Sequence, residues 1–443
     1  MLIRFYVANF LSFAEKTEFS MIAAKNLPRD DQVLTRTDPK VLRSSILYGA
    51  NASGKSNLVK AIDRARKMIL NPPQKGRRLQ DQRFRLSHEY SEEPTHFEFE
   101  FFSNGTAYAY GFTFTPDRIV EEWLFKISNC RDVRVFERNG SDVNMNDKHF
   151  RDKKSRDRLY FAFEDLLPNQ LFLSVVSSRN TRNLKGGEVF EEVYDWFHNK
   201  LTVIFPESRF SAWENIEKDE EFRALMKGML SSFDTGIHDI SFRERRREEL
   251  SEGDIPKQVL DDIEANAPED VVMITGSRYN SFLVDVTEAG LRIRELCTTH
   301  DSDHGPVDFR IVEESDGTKR LTDFIPMFAA TGPTEKTFVV DEIDRSLHTD
   351  LNRKLLHMFL HSDATNRRQL IATTHDVALL DLDLLRRDEI WFVEKNKGGA
   401  STLYSLQDFK PRKDLDIRNA YLQGRFGAVP LIQDNESLQI STR

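Results

Sequence analysis

Residues Gly49-Ala50-Asn51-Ala52-Ser53-Gly54-Lys55-Ser56 have the spacing G-x-x-x-x-G-K-[ST], that of a loop that wraps phosphates. Glycines let backbone N–H groups turn toward an anion. Lys55 brings a cation to the β- and γ-phosphates, and Ser56 brings a hydroxyl to Mg²⁺. The chemistry implied is binding of ATP with Mg²⁺. The expected nucleotide contacts are Gly49, Asn51, Ala52, Ser53, Gly54, Lys55, Ser56 and Asn57.

Three further groups could complete the reaction. Thr337-Phe338-Val339-Val340-Asp341-Glu342 is an apolar run ending in two carboxylates. Asp341 at its end would hold Mg²⁺, directly or through water, and Glu342 would orient and deprotonate the attacking water. Thr374-His375-Asp376 follows the apolar run Gln369–Thr373. His375 there sits just past the C-terminal end of a core strand, where ligands bind in such sheets. Glu313-Glu314-Ser315-Asp316-Gly317-Thr318-Lys319-Arg320 opens a helical pattern; a polar turn with glycine at a helix start is a further anion site, with Ser315 and Gly317 as its contacts.

These residues need elements to hold them. Val41–Tyr48 reads as a strand into the loop. Leu58, Ile62, Ala65 and Ile69 follow at helical spacing, and Asn71-Pro72-Pro73 ends the helix. Met1–Phe13 alternates as a strand. His96–Phe101 and Ala107–Phe112 alternate around Ser103-Asn104-Gly105 and predict hairpins over 96–137. Residues 155–232 have a mostly helical pattern, and 240–268 read as a charged helical excursion ended by Ala267-Pro268. Strands return over 271–296, a helix covers Leu351 to Phe359, and Trp391–Glu394 reads as a last sheet strand. The tail from Gln433 to Arg443 is polar and expected to fray. The expected division is an N-terminal ATPase lobe over 1–140, a mainly helical insert over 141–270, and a C-terminal ATPase lobe over 271–443.

Bulk properties narrow the class. The chain has 443 residues, 39% of them hydrophobic, and a formal net charge of −9. No apolar run reaches membrane length and no signal peptide opens the chain, so a cytoplasmic protein with no membrane partner is expected. Cys130 and Cys297 are too far apart for a disulfide framework or metal knuckle. A protein gripping nucleic acid through phosphates is usually basic. The basic segments 75–78, 151–156 and 243–247 are interleaved with or followed by acids and read as solvated faces.

Together the motifs resemble an ABC-class ATPase head of the SMC/RecF type. Within it they are similar to bacterial phage-defence ATPases of the RloA and abortive-infection (AbiL-like) sort. The similar stretches are Val7–Phe13, Tyr48–Asn57, Glu314–Leu321, Asp341–His348, Thr373–Asp376 and Tyr421–Pro430. The resemblance implies an α/β P-loop NTPase of ABC head type, with an antiparallel β lobe and a helical insert. It implies a composite site: Lys55, Ser56, Asp341, Glu342 and His375 in one protomer, Ser315 and Gly317 closing from a second, and Ser346-Leu347-His348 as the D-loop between them. No Q-loop glutamine is placed by the resemblance: Gln82 is a weak candidate, and a plain surface-loop residue is the favoured reading. The Ser-Asp-Gly-Thr-Lys turn departs from the transporter signature Ser-Gly-Gly-Gln. Sustained heptads and a C-x-x-C hook are missing, so a compact head without DNA tethering is expected. Asp381-Leu382-Asp383 and Glu394 lack the order and room of the Toprim nuclease carried by overcoming-lysogenisation proteins.

The expected function is the ATP-hydrolysing subunit of an anti-phage system. It would pair with itself, as a homodimer or higher oligomer, and control a separate effector encoded nearby, a nuclease. The alternative is a RecF-like repair ATPase that binds DNA. A third reading makes the chain itself a toxin, with a nuclease site among His149, Asp152, His198, His238 and Asp239, which show no metal-ligand spacing. A transporter ATPase is a fourth, and fits poorly.

Overall fold

A computed structural model describes the chain except residues 35–36, 129–130, 151, 179–183, 209–218, 267–270, 276–279, 329–334, 363–366, 413–414 and 431–443, and the side chains of Met273 and Thr275. Cys130, Arg151, Ala267-Pro268 and the polar tail lie outside the described residues. The fold is α/β and divides into two compact units. One comprises Met1–Phe205, Pro333–Ile343 and Leu356–Arg443, the other Pro206–Gly332 and Asp344–Leu355.

The first unit contains a six-stranded sheet in the order Leu201–Ile204, Lys336–Val340, Arg368–Thr373, Ser44–Tyr48, Ile390–Lys395, Ser401–Ser405. The first five strands are parallel and the last returns antiparallel. Four of the parallel strands, Lys336–Val340, Arg368–Thr373, Ser44–Tyr48 and Ile390–Lys395, carry nearly continuous apolar runs, as parallel strands covered on both faces do. Their C-terminal ends deliver the phosphate loop, the Asp341-Glu342 pair and His375 to one edge, where α/β sheets bind ligands.

A second sheet of this unit is wholly antiparallel and seven-stranded: Asp142–Met145, Val133–Asn139, Ile119–Ile127, Thr106–Phe114, Thr95–Ser103, Leu2–Ala8, Thr17–Ser20. Its alternation is strict. Phe97, Phe99 and Phe101 are buried while His96, Glu98 and Glu100 face outward, and Phe5 stands opposite Phe99. The helix Lys55–Leu70 buries Leu58, Ile62, Ala65 and Ile69 in the same core. Aromatic packing deepens it: Phe101 stacks on Trp196 at 4.2 Å between ring centroids. The N-terminal strand ends at Ala8, short of Phe13. There Asn9 and Leu11 take left-handed φ values of 48° and 49° and Phe10 bridges to Phe13, a tight turn that presents Ser12.

The second unit holds a five-stranded sheet. Ile237–Arg245, Gly290–His300, Ser281–Thr287 and Val272–Thr275 are neighbours in that order, and Val307–Arg310 pairs with Gly290–His300. Ile255, Leu260, Ile263, Phe282, Val284 and Ile293 form its core. Two elements differ from the sequence pattern. Residues 237–245 are a strand rather than the start of a charged helix: Arg243 and Glu244 stand opposite Glu295 and Arg294 in its register, and Arg245 pairs with Glu295 at 3.1 Å. Leu201–Ile204 is a strand within the helical stretch, held by parallel pairing to Thr337–Val340. Beyond Trp391–Glu394 the sheet gains one more strand, Ser401–Ser405. No helix among the described residues is long and apolar enough to cross a membrane.

Candidate nucleotide-binding site

The phosphate loop runs from the end of strand Ser44–Tyr48 to the start of helix Lys55–Leu70. Its shape requires its glycines. Gly54 has φ 114°, and a Cβ there would lie 2.2 Å from Ser401 Oγ and 2.8 Å from Ser12 Oγ. At Gly49 a Cβ would meet the Val393 carbonyl oxygen at 2.3 Å. Ala52 holds a left-handed φ of 61°. Gly54 is also the helix N-cap, so no side chain caps the first turn, and no acid stands in that turn. The helix therefore offers its N–H groups and the positive end of its dipole to an anion. Lys55 is buried, and its Nζ donates to the loop carbonyls of Gly49 (2.7 Å) and Ala50 (3.2 Å).

Asp341 joins this loop to the neighbouring strands. Its Oδ1 accepts from Ser56 Oγ at 3.0 Å and from Thr373 Oγ1 at 2.6 Å. Asp341 is 4% exposed, so these bonds replace hydration it has lost. Thr373 Oγ1 also accepts the N–H of Glu342 at 2.8 Å, and the Thr373 carbonyl accepts from Ile343 at 3.0 Å. Glu342 has φ 50°; left-handed backbone in a non-glycine residue costs about 1–3 kcal/mol and concentrates at working sites. His375 is exposed, two residues beyond Thr373, and Thr374 Oγ1 accepts the N–H of Asp376 (3.0 Å).

Lys55, Ser56, Asp341, Glu342 and His375 thus lie at one edge of the first unit's sheet. Ser315, Gly317, Ser346 and His348 belong to the second unit. There Ser315 caps the helix Asp316–Phe324, accepting from Thr318 N at 3.1 Å. A Cβ on Gly317 would stand 2.8 Å from the Ser346 carbonyl oxygen, and Ser346 is itself left-handed, φ 63°. The turn at Gly317 and the turn at Ser346 are therefore packed backbone to backbone.

Two cavities flank the loop. One of about 400 Å³ is lined by Leu11, Ser12, Asn57, Gln82, Arg83 and Leu86, among others. Gln82 accepts from Leu11 N through its backbone (2.7 Å), and its buried side-chain oxygen has no hydrogen-bond partner among the described residues. The other, about 700 Å³, lies between Ala50–Ser53 and the turn Leu422–Val429. That turn is anchored by Tyr421, stacked on Phe392 at 5.4 Å, its hydroxyl donating to the Ala428 carbonyl at 3.0 Å.

Three of the residues weighed as a nuclease site have structural partners. Asp152 caps the helix Lys153–Glu164, His149 bonds the Gly186 carbonyl at 3.1 Å, and Asp239 pairs with Lys227 at 3.5 Å. Arg245 is paired with Glu295 (3.1 Å) and Arg247 with Glu264 (3.0 Å) and Asp261. Cys297 is buried, and that burial pushes its thiol up to about 11, which disfavours the reactive thiolate. Sequence reasoning missed Thr373, Ser12 and Ser401. Thr373 had a signal, its place beside Thr374-His375. Ser401 had none, since only the fold brings it to the loop.

Residues 44–381 match the family described as AAA domain, putative AbiEii toxin, Type IV TA system. The chain belongs to this family. Membership in this AAA family, with its P-loop, implies nucleotide binding, in keeping with the geometry above. Solved structures similar to the chain include an SMC head bound to the C-winged helix domain of ScpA (15% identity, 93% of this chain and 99% of that one, TM-score 0.43). The SMC head domain from Thermotoga maritima is similar at 15% identity, over 91% of this chain and 98% of that one, with TM-score 0.37. No curated protein matches the chain.

Proposed function

We propose that this AAA-family member hydrolyses ATP and, in an anti-phage system of the RloA or AbiL-like sort, pairs with itself to control a separate nuclease effector. The observation that carries the catalytic half is the hydroxyl of Thr373, which binds Asp341 and the backbone of Glu342 together. Ser56 Oγ and Asp341 Oδ1, 3.0 Å apart, are hard oxygen donors suited to Mg²⁺. Mg²⁺, when bound, neutralises charge on the phosphates. Lys55 holds the β- and γ-phosphates, the loop N–H groups orient them, and Glu342 takes the proton of the attacking water. His375, exposed at the strand end, contacts the γ-phosphate side, and Gln82 in the adjoining cavity serves as the Q-loop residue. Ser315 and Gly317 close on the γ-phosphate from a second protomer.

The effector half is supported by the motif resemblance; the family description, a putative toxin of a type IV TA system, supports a place in such a system and leaves the effector to the test. This half is tested by co-expressing the chain with its neighbouring genes and purifying it with ATP. A stoichiometric second protein, released or activated on hydrolysis, is the expected result. A bare homodimer that shifts onto duplex DNA would replace this with the RecF-like reading. Degradation of nucleic acid by the chain alone would make it the toxin.

A further inference from the structure

Ser401 lies almost at the opposite end of the sequence from the phosphate loop, yet it touches it. The strand Ile390–Lys395 runs parallel beside Ser44–Tyr48, the strand that feeds the loop. The chain then turns back, with Ser401 opposite Lys395. That return sets the Ser401 hydroxyl 2.6 Å from the Ser53 carbonyl oxygen and 2.7 Å from Ser12 Oγ; its one proton goes to the carbonyl, which can only accept, so Ser12 donates to Ser401 Oγ. Ser12 Oγ also accepts from Asn57 Nδ2 at 2.7 Å, and the Ser12 carbonyl accepts from Ser401 N at 2.7 Å. Ser12, Ser53 and Ser401 are 5%, 4% and 3% exposed, so water does not compete for these bonds. The side chains come so close that residue 54 has no room for a Cβ.

The consequence follows from peptide geometry. The Ser53 carbonyl and the Gly54 N–H share one planar trans peptide and point in opposite directions. Fixing that carbonyl on Ser401 turns the Gly54 N–H away from Ser401. We propose that Ser401 is a positioning residue for nucleotide binding: it locks the Ser53–Gly54 peptide so that the Gly54 N–H is held ready for a phosphate oxygen. This rests on the ATP-binding reading above. The hairpin Ile390–Ser405 thereby becomes part of the nucleotide site, without touching the nucleotide itself.

The test is equilibrium binding of MgATP to the full chain, with steady-state kinetics beside it. Ser401→Ala should bind about tenfold more weakly, the effect of one lost buried hydrogen bond. KM should rise with kcat little changed, since a loop N–H holds ground and transition states alike. Ser12→Ala leaves the Ser401–Ser53 bond in place and should lose less. If Ser401→Ala does not fold, the isosteric pair Ser401→Thr and Ser401→Val, differing only in the hydroxyl, repeats the comparison. Equal affinity of wild type and Ser401→Ala, or of the Thr and Val variants, overturns the proposal alone. A wild-type chain that binds no ATP removes the reading beneath it.

Discussion

Thr373 donates to Asp341 and accepts the N–H of Glu342, so a single hydroxyl ties the Asp341 carboxylate to the backbone of Glu342. Replacing it with Val keeps the shape and leaves a buried carboxylate oxygen and a backbone N–H short of a partner, a cost of about 1–3 kcal/mol. Thr373→Val should lower the melting temperature and raise the Mg²⁺ concentration needed for half-maximal turnover; an unchanged Mg²⁺ titration would remove Thr373 from the site. Lys55→Ala should abolish measurable ATP binding, because the phosphates lose their buried charge partner, and calorimetry checks it. Glu342→Gln should keep binding and slow hydrolysis by about 10²–10⁴-fold; normal turnover would mean that Glu342 is not the base. At this scale the sequence was most legible where chemistry forces residue type and spacing together, as at Gly54-Lys55-Ser56 and Asp341-Glu342. Ser12, Thr373 and Ser401 are ordinary serine and threonine locally, and only tertiary approach makes them parts of the site.

Elements were readable where their period was clean. The Phe97-Phe99-Phe101 alternation and the Leu58-Ile62-Ala65-Ile69 stripe name their own faces. Leu201–Ile204 was hidden because four residues carry too little pattern to outweigh the helices before it. Ile237–Arg245 was hidden because its polar face is charged, and its stability comes from cross-strand pairs invisible in one segment. The start of strand Ile390–Lys395 carries a prediction of its own. Glu389 there is fully buried, and burial pushes its carboxyl from 4.5 up to about 8, against hydrogen bonds from Arg386 N and Ser44 Oγ that pull it down. The folded chain then holds this proton more tightly than the unfolded chain. The associated stability is present in full below the unfolded pKa and is lost as pH rises toward 8, at most about 1.4 kcal/mol per pH unit. Glu389→Gln should flatten the fall of melting temperature between pH 5 and 8; an unaltered slope would mean that Glu389 is ionised in the fold.

The whole molecule places the proposed ATP-binding residues Lys55, Ser56, Asp341, Glu342 and His375 in one compact unit and Ser315, Gly317 and Ser346 in the other. On the proposed reading, a second copy brings Ser315 and Gly317 to the γ-phosphate. The central strands of the first unit were legible from its motifs, as strand, loop, helix and terminal carboxylates, while its edge strands Leu201–Ile204 and Ser401–Ser405 were not. The five-stranded sheet of the second unit was only partly so, since its charged strands lack a distinctive pattern. The most direct test of ATP-driven pairing is the native mass of the Glu342→Gln chain with and without MgATP. The account predicts two chains holding two ATP molecules, a species that disappears without nucleotide and in the Lys55→Ala variant. A Glu342→Gln chain that remains single and free of ATP at millimolar nucleotide would contradict it.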